Sequence, residues 1–415
     1  RWHDAHAAAA AEHADLLAAA IALDLAQHDT ETPDTLERAQ TWLRTAEAEL
    51  RRIEIDPAEY ADVAFATARI AAAHGRMREA ADGLARAAAL PAGADDASRI
   101  RILIEWGGVL GRLGEHERGL ARIAEGHALC ESSGLVGGLE RVELHRTAAT
   151  LLQNLGRFDD AVREMERALA IADGIRGFSR GHRSSLHGDL GIFHLQLNHR
   201  DETGEHLKLA LALAPASWVA HSNLSIWYGK IACRNDVPTP DCDPSARELG
   251  YLHQLRAVEL ARASFGESHP TFATMRANLA RERLDRGELQ RALEDYDQSC
   301  TELELHFGAE AHQLLNPLYG LVEVNVRMGR REPAVRAAER LYTVAHAPAL
   351  ASRKDAIAVL DYVVGRTLAW QAVPDPRAAE LIESGRGFFG ERPPDDFMLI
   401  DGWFEGRTPP AAELP

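Results

Sequence analysis

The chain has 415 residues, 46% of them hydrophobic, which is enough to bury a continuous core if the chain is organised as repeats. Its formal net charge of −17 argues against nucleic-acid binding, because such binding depends on basic patches that release phosphate counterions. Four cysteines in a chain of this length do not indicate a disulfide framework. Residues 209–229 lack Asp, Glu, Lys and Arg, but Pro215 and several polar side chains interrupt them. This segment therefore predicts the end of one helix and the start of the next, instead of a membrane span.

The use of basic residues is uneven, since only three of the 46 are lysines. Together with abundant alanine, this bias suggests a GC-rich bacterial genome. The sequence starts at Arg1 without a methionine, so we expect it to be part of a longer protein. No secretory signal is visible at its start, which leads us to expect a cytoplasmic location.

Residues 1–55 predict two helices that lack the marks of the repeats that follow. The first is expected at about residues 4–27 and is rich in alanine, and the second follows Pro33. One stripe of the second helix consists of Leu36, Ala39, Leu43, Ala46 and Leu50. We interpret residues 1–55 as N-terminal capping helices, because a repeat array needs a polar outer face at its ends. The alternative is a connector to an upstream domain.

Residues 56–390 contain pairs of amphipathic helical patterns separated by a recurring break. The breaks stand 39, 42, 42, 89 and 42 residues apart at Gly75, Gly114, Gly156, Asn198, Gly287 and Gly329. Gly and Asn tolerate the left-handed backbone conformation that ends many helices. The step of 89 residues divides in two if Ser245 marks a further break. The pattern predicts consecutive helical hairpins, none of which can bury its apolar faces alone.

Small residues stand at matching places on both helices of each pair. Five residues after each break come Ala80, Gly119, Ala161, Thr203, Gly250, Ala292 and Ala334. Seven residues before most breaks come Ala68, Gly107, Ala149, Gly191 and Ala280. Ser225 takes this role in the unit that carries an insertion, and Val322 departs from the rule. Small residues at both places predict a close approach of the two helices.

This pattern resembles the tetratricopeptide repeat family. The large–small pair of the family's first helix is matched by Trp106-Gly107, Leu190-Gly191 and Leu279-Ala280. The marks of its second helix are matched by Gly156, Ala161 and Ala168, and by Gly287, Ala292 and Tyr296. The period of 42 residues and the link Phe265–Pro270 resemble the kinesin-light-chain subtype.

The resemblance implies an all-α fold, a right-handed α-solenoid of about seven helical hairpins with capping helices. It also implies a non-catalytic scaffold without a cofactor that binds a protein or a peptide. Similar arrays occur in C-terminal regions of bacterial serine/threonine kinases and in signalling regulators. A kinase domain in the same chain is therefore one implied partner. The alternative function is a peptide-sensing module that changes its curvature when the ligand binds.

Apparent chemical motifs do not support an enzyme. Residues 385–390 fit G-x-G-x-x-G, but they end a predicted helix instead of following a strand, so no pyrophosphate cradle is expected. His187 and His194 share a helix face, yet no cysteine or second close pair completes a zinc site. We therefore predict no catalytic residue and no metal ligand, and we interpret these histidines as core or interface residues.

Two segments outside the repeat pattern have distinct compositions. Residues 234–244 are rich in Pro and Asp and predict an exposed loop inserted between two helices. Cys233 and Cys242 bracket this loop, and the sequence leaves open whether they are bonded. Residues 391–415 predict a capping segment with a Pro-rich tail. Its apolar residues are expected to cover the last repeat: Phe397, Met398, Leu399, Ile400, Trp403 and Phe404.

The resemblance also indicates a binding surface, because the first helix of each tetratricopeptide pair lines the concave face. Asn223 and Asn278 each precede the large–small pair of their repeat, and similar families use an Asn there to hold a peptide backbone. An amide suits this role because it offers two donors and an acceptor. Basic residues expected on the same face are Arg146, Lys230, Arg281 and Arg327. Against a net charge of −17, they favour an extended peptide that carries acidic groups.

Overall fold

The computed structural model describes residues 2–11, 14–30, 35–90, 95–134, 138–232, 243–347, 350, 354–371, 373–390 and 394–405. Within these ranges the chain forms 20 α-helices and no β-strand, so the predicted all-α fold is confirmed. The chain divides into two compact units, residues 1–197 and residues 198–415. Each unit consists of consecutive helical hairpins.

The first unit contains the helices α1 to α10. Helix α2 packs on α3, α4 on α5, α6 on α7 and α8 on α9, and each pair also contacts the next. The bounds are α1 Trp2–Ala11, α2 Asp15–His28, α3 Leu36–Arg52, α4 Ala61–Ala73, α5 Met77–Ala89, α6 Asp96–Arg112, α7 His116–Ser132, α8 Leu139–Asn154, α9 Phe158–Gly174 and α10 Arg180–Gln196. The apolar core lies between neighbouring hairpins.

The N-terminal segment differs from the prediction of one long first helix. Helix α1 ends at Ala11 and α2 begins at Asp15, and the backbone of Ala14 between them is not helical, with φ −88° and ψ 62°. Alanine is the strongest helix former, so an alanine-rich sequence gives no local sign of such a break. Helices α2 and α3 pack on α4 through a core that includes Ala22, Leu50 and Ala66. The capping segment therefore has the same hairpin form as the repeats.

The second unit contains the helices α11 to α20. Helix α12 packs on α13, α14 on α15, α16 on α17 and α18 on α19. The bounds are α11 Arg200–Leu213, α12 Trp218–Ala232, α13 Pro244–Phe265, α14 Pro270–Asp285, α15 Leu289–Phe307, α16 Leu315–Arg327, α17 Arg331–Ala345, α18 Lys354–Ala369, α19 Arg377–Phe389 and α20 Asp395–Phe404. A continuous apolar core extends from α14 to α20.

The predicted breaks are confirmed, with one correction. Six of them have a positive φ between 58° and 79°: Gly75, Gly114, Gly156, Asn198, Gly287 and Gly329. Ser245 is not a break, because it lies in the first turn of α13, where its backbone N–H donates to the side chain of Asp243 at 2.9 Å.

The small residues lie at close helix crossings, as predicted. Ala161, Ala292 and Ala334 are completely buried. A Cβ atom added to Gly119 would lie 2.9 Å from the carbonyl oxygen of Gly107, so these two backbones are in direct contact. The match of register across both units confirms that the repeat period was read correctly.

Helix α20 covers the end of the second unit. Phe397, Ile400, Trp403 and Phe404 are buried, and the ring of Phe397 stacks on Tyr362 with centroids 3.9 Å apart. The expectation that apolar residues of this segment cover the last repeat agrees with the contacts of these four side chains, whereas Leu399 is only half-buried. It is wrong for Met398, which is 73% exposed because it lies on the opposite side of the short helix.

Two expectations about the middle of the chain have different outcomes. Helix α11 ends at Leu213 and α12 begins at Trp218, so residues 209–229 form two helix ends as predicted. Among the described helices, none has the length together with the hydropathy that a membrane span requires. The inserted loop with Cys233 and Cys242 lies almost entirely outside the described residues.

Candidate functional site

Helix α12 exposes one stripe that combines apolar groups with an amide. Val219 and Ile226 are 39% and 44% exposed, and the half-buried Asn223 lies between them at helical spacing. Lys230 is the next residue on this stripe by sequence, in a part of α12 whose side chains are not described. A solvent-facing stripe of this composition is suited to contact with another polypeptide.

The neighbouring first helices α14 and α16 are joined by a pair of amides. The side-chain Nδ2 of Asn316 donates to Oδ1 of Asn278 at 3.1 Å, and this pair is exposed. Helix α12 is tied to α14 in turn, because the hydroxyl of Ser225 donates to Glu282 at 2.9 Å. Three successive first helices of the second unit therefore adjoin one another.

A buried ion-pair cluster lies beside these amides. Arg281 donates to Glu323 at 2.6 Å, and Arg327 pairs with the same carboxylate. Arg327 also donates to the carbonyl oxygen of Leu284 at 3.5 Å. Glu323 is completely buried, so both predicted basic residues are engaged by a carboxylate within the chain. We call Arg281, Glu323 and Arg327 the buried ion-pair cluster after its carboxylate, since the two arginine side chains are 38% and 27% exposed.

Burial and charge have opposite effects on the ionisable groups around this cluster. Burial would lower the pKa of Arg281, but the carboxylates of Glu323 and Asp285 raise it above its usual value. Burial raises the pKa of Glu282 to about 7, although the hydrogen bond from Ser225 acts in the other direction. Glu282 is therefore a carboxyl group that changes its charge near neutral pH.

Arg327 also borders an open cleft at the turn between α16 and α17. The cleft has a volume of about 810 Å³. Its lining includes Arg330, Arg331, Glu332 and Trp370, and the guanidinium of Arg331 lies 5.2 Å from the centroid of the Trp370 ring. Because Arg327 is paired with Glu323, the positive balance of this cleft comes from Arg330 and Arg331 against Glu332.

Arg146 lies in the first unit and makes ion pairs there. Its Nε donates to Asp189 at 2.9 Å, and Nη1 lies 3.7 Å from Glu143. Helix α8 is joined to α10 by the contact with Asp189. Arg146 thus connects two first helices in the same way as Arg281 does in the second unit.

A histidine–carboxylate cluster in the first unit escaped the sequence analysis. His127 of α7, His145 of α8 and Glu164 of α9 place one possible ligand atom each within 4.8 Å of the others. Nδ1 of His145 lies 2.6 Å from Oε2 of Glu164. Burial, followed by the charge of His145, lowers the pKa of His127. We call these three residues the histidine cluster.

The predicted site residues are thus only partly brought together. Asn278, Arg281 and Arg327 lie on neighbouring helices of the second unit, with Asn223 one first helix away, whereas Arg146 lies in the first unit. The carboxylate partner Glu323 was missed, although a single charge inside the apolar run of residues 321–326 is a recognisable signal. The histidine cluster had no such signal, because its members lie on three different helices.

Consecutive hairpins, left-handed turn residues and buried small residues at the crossings define an all-α helical-repeat fold. No protein-family model matches the sequence, and no curated protein matches it. Similar solved structures share 11–17% identity with it. A Podosopora anserina putative kinesin light chain with nearly identical repeats covers 50% of this chain and 97% of its own, with a TM-score of 0.38.

Two further solved structures align with more of the chain. The apo form of RapI is 11% identical and covers 89% of this chain and 86% of its own, with a TM-score of 0.45. A tetratricopeptide repeat protein from Parabacteroides merdae ATCC 43184 is 12% identical. It covers 78% of this chain and 98% of its own, also with a TM-score of 0.45.

Proposed function

We propose that this chain is a non-catalytic protein-interaction scaffold, and that the first helices of its second unit bind an extended peptide segment. The observation that carries this proposal is the exposed stripe of α12, where Val219 and Ile226 flank Asn223. The apolar side chains offer area that a partner can cover, and the amide can bind one of its peptide groups. Asn278 and Asn316 offer further amide groups on the adjoining first helices.

Charge supports the choice of a peptide that carries acidic groups. The cleft beside Arg327 contains three arginines and one glutamate in a chain whose net charge is −17. Arginine binds carboxylates with two parallel hydrogen bonds, so Arg330 and Arg331 suit an acidic side chain of the partner. Arg281 and Arg146, which pair with carboxylates of the chain, then contribute to holding the face together.

The cellular context is part of the same proposal. We place the module in the cytoplasm, within a larger bacterial signalling protein, with a kinase domain of the same chain as one partner. The scarcity of lysine and abundance of alanine in the sequence, and its resemblance to repeat arrays of bacterial kinases, support this placement.

The test selects peptides from a random phage-displayed library on the wild-type chain and measures their affinity by fluorescence anisotropy. The double variant Asn223→Ala/Asn278→Ala should bind the selected peptides about 10- to 100-fold more weakly, because each lost hydrogen bond contributes about 1 kcal/mol. Gln290→Ala is the matched control, since it removes an exposed amide from the second helix α15. It should leave the affinity unchanged.

Other outcomes would overturn the proposal or change its class. Equal affinity of the wild type and the double variant, with a loss in Gln290→Ala, would place the binding surface on the second helices. A failure to select any peptide would argue against peptide binding. A change in the radius of gyration on adding a selected peptide, measured by small-angle scattering, would favour the sensor over the static scaffold.

A further inference from the structure

Three helices from two consecutive hairpins bring the histidine cluster together. His127 comes from the second helix of one hairpin, whereas His145 and Glu164 come from the two helices of the next. We propose that His127, His145 and Glu164 bind a divalent transition-metal ion of the zinc type. This site is separate from the peptide-binding face, which we assign to the second unit.

The donor set suits such an ion. Imidazole nitrogen and carboxylate oxygen are common zinc ligands, and two histidines with one glutamate leave the fourth position of a tetrahedral site open to water. Zinc–ligand bonds of about 2.0–2.2 Å place the donor atoms of a tetrahedral site about 3.3 Å apart. The three donor atoms here lie within 4.8 Å of one another, so small side-chain rotations are enough to close them around an ion.

The surroundings keep the ligands available. His145 is buried, and the rings of His127 and His145 lie 4.5 Å apart between centroids. Burial lowers the pKa of His127, and the hydrogen bond from His145 lowers that of Glu164. A neutral imidazole and an ionised carboxylate are the forms that bind a metal ion. The ion would take the place of the present hydrogen bond between His145 and Glu164.

The charged groups near the cluster balance one another. Arg167 pairs with Glu164, and Arg141 and Glu131 lie near His127. Two arginines oppose the two glutamates, so the carboxylate of Glu164 is partly neutralised before an ion arrives. We therefore expect binding that is specific but weaker than at a site whose carboxylate is free of arginine. A bound ion would join α7, α8 and α9 and stiffen the junction between two repeats.

The experiment titrates the full chain, freed of metal with a chelator, with zinc chloride in a calorimeter at pH 7.5. A parallel titration with cobalt(II) chloride follows the visible absorption that a tetrahedral cobalt site produces. His127→Gln and Glu164→Gln each remove one ligand and should weaken binding by at least about 100-fold, more than the loss of an outer partner does. Circular dichroism and the thermal midpoint without metal establish that both variants fold.

Two histidine variants serve as matched controls. His182→Gln removes an exposed histidine from the same unit. His253→Gln removes another close histidine pair, in which Nδ1 of His221 lies 2.8 Å from Nδ1 of His253. Binding of one ion that survives in both controls and is lost in both ligand variants supports the site. Equal binding in all proteins, binding lost only in His253→Gln, or no binding at 100-fold excess of zinc overturns it.

Discussion

Each unit contains a polar cluster that joins successive hairpins, and the two clusters consist of different groups. The histidine cluster of the first unit combines two imidazoles with the carboxylate of Glu164. The buried ion-pair cluster of the second unit combines two guanidinium groups with the completely buried Glu323. Burial lowers the pKa of the His127 imidazole in the first cluster, whereas the guanidinium groups of the second keep their charge throughout the physiological range.

This difference indicates how each junction should respond to its surroundings. Ionised groups lose hydration when they are buried, so a buried ion pair is held by contacts that offset a large desolvation cost. Removing one partner leaves the other charge uncompensated. Imidazoles and a half-buried carboxylate lose less hydration on burial, and such groups can exchange a proton or accept a metal ion. We therefore expect the second cluster to respond more strongly to mutation and the first to respond more strongly to solution conditions.

The largest loss of stability is expected from Glu323→Gln. The variant leaves Arg281 and Arg327 without the carboxylate that they share. Breaking a fully buried ion pair costs about 3–5 kcal/mol, and the partial exposure of both arginine side chains, 38% and 27%, places the expected loss at about 3 kcal/mol. The free energy of unfolding, measured by urea denaturation with circular dichroism, should fall by that amount. Glu332→Gln is the matched control, because Glu332 has a side chain that is 91% exposed and pairs with Arg336 at 3.8 Å. Equal stability of the two variants would show that the cluster is not structurally important.

The fold could be predicted from the sequence because its signals are local and repeated. A left-handed residue such as Gly287 or Asn198 marks each turn, and a small residue such as Ala292 marks each crossing. Where such a signal was lacking, the prediction was wrong. The alanine-rich start hides the break at Ala14, and the insertion before α13 led to the incorrect break at Ser245.

The candidate site could be predicted less well, because it depends on contacts between residues that are distant in sequence. The position of Asn278 on a first helix follows from the repeat period, but its hydrogen bond to Asn316 does not. Arg281 was expected to be available to a ligand, and its pairing with Glu323, 42 residues away, could not be read from either residue alone. The signal to look for is a charged residue that lies one repeat period, 42 residues, from the arginine and inside an otherwise apolar run.

An effect of the opposite sign is expected from Glu282→Gln, and it should depend on pH. Burial raises the pKa of Glu282 to about 7 in the folded chain, above its ordinary value of 4.5. The folded state therefore binds more protons between these values, and the wild type loses stability as the pH rises through them. Glutamine cannot ionise, so the variant should be more stable than the wild type at pH 8 by about 3 kcal/mol. The difference should vanish below pH 4.5.

The measurement is the free energy of unfolding of both proteins from pH 4.5 to 8. Glu259→Gln is the control, because it changes a glutamate whose side chain is 67% exposed on α13 and pairs with Arg256 at 3.0 Å. Its stability relative to the wild type should not change across this range. A parallel course for Glu282→Gln and the control would mean that Glu282 ionises as it does in water.

The smallest effect is expected from Glu164→Gln in the absence of metal. Glutamine keeps the shape of the side chain and can still accept a hydrogen bond from His145, so the variant should lose about 1 kcal/mol at pH 7. The hydrogen bond from His145 lowers the pKa of Glu164, so the contribution of this carboxylate is present above its unfolded value of 4.5 and is lost as the pH falls through its lower folded value. Glu166→Gln changes an exposed glutamate on the same helix and should have no comparable effect.

A loss as large as that of Glu323→Gln would show that the two clusters hold their hairpins together equally strongly. A loss of about 1 kcal/mol would instead leave the first cluster as the junction that can exchange its internal hydrogen bond for a metal ion at little cost to the fold.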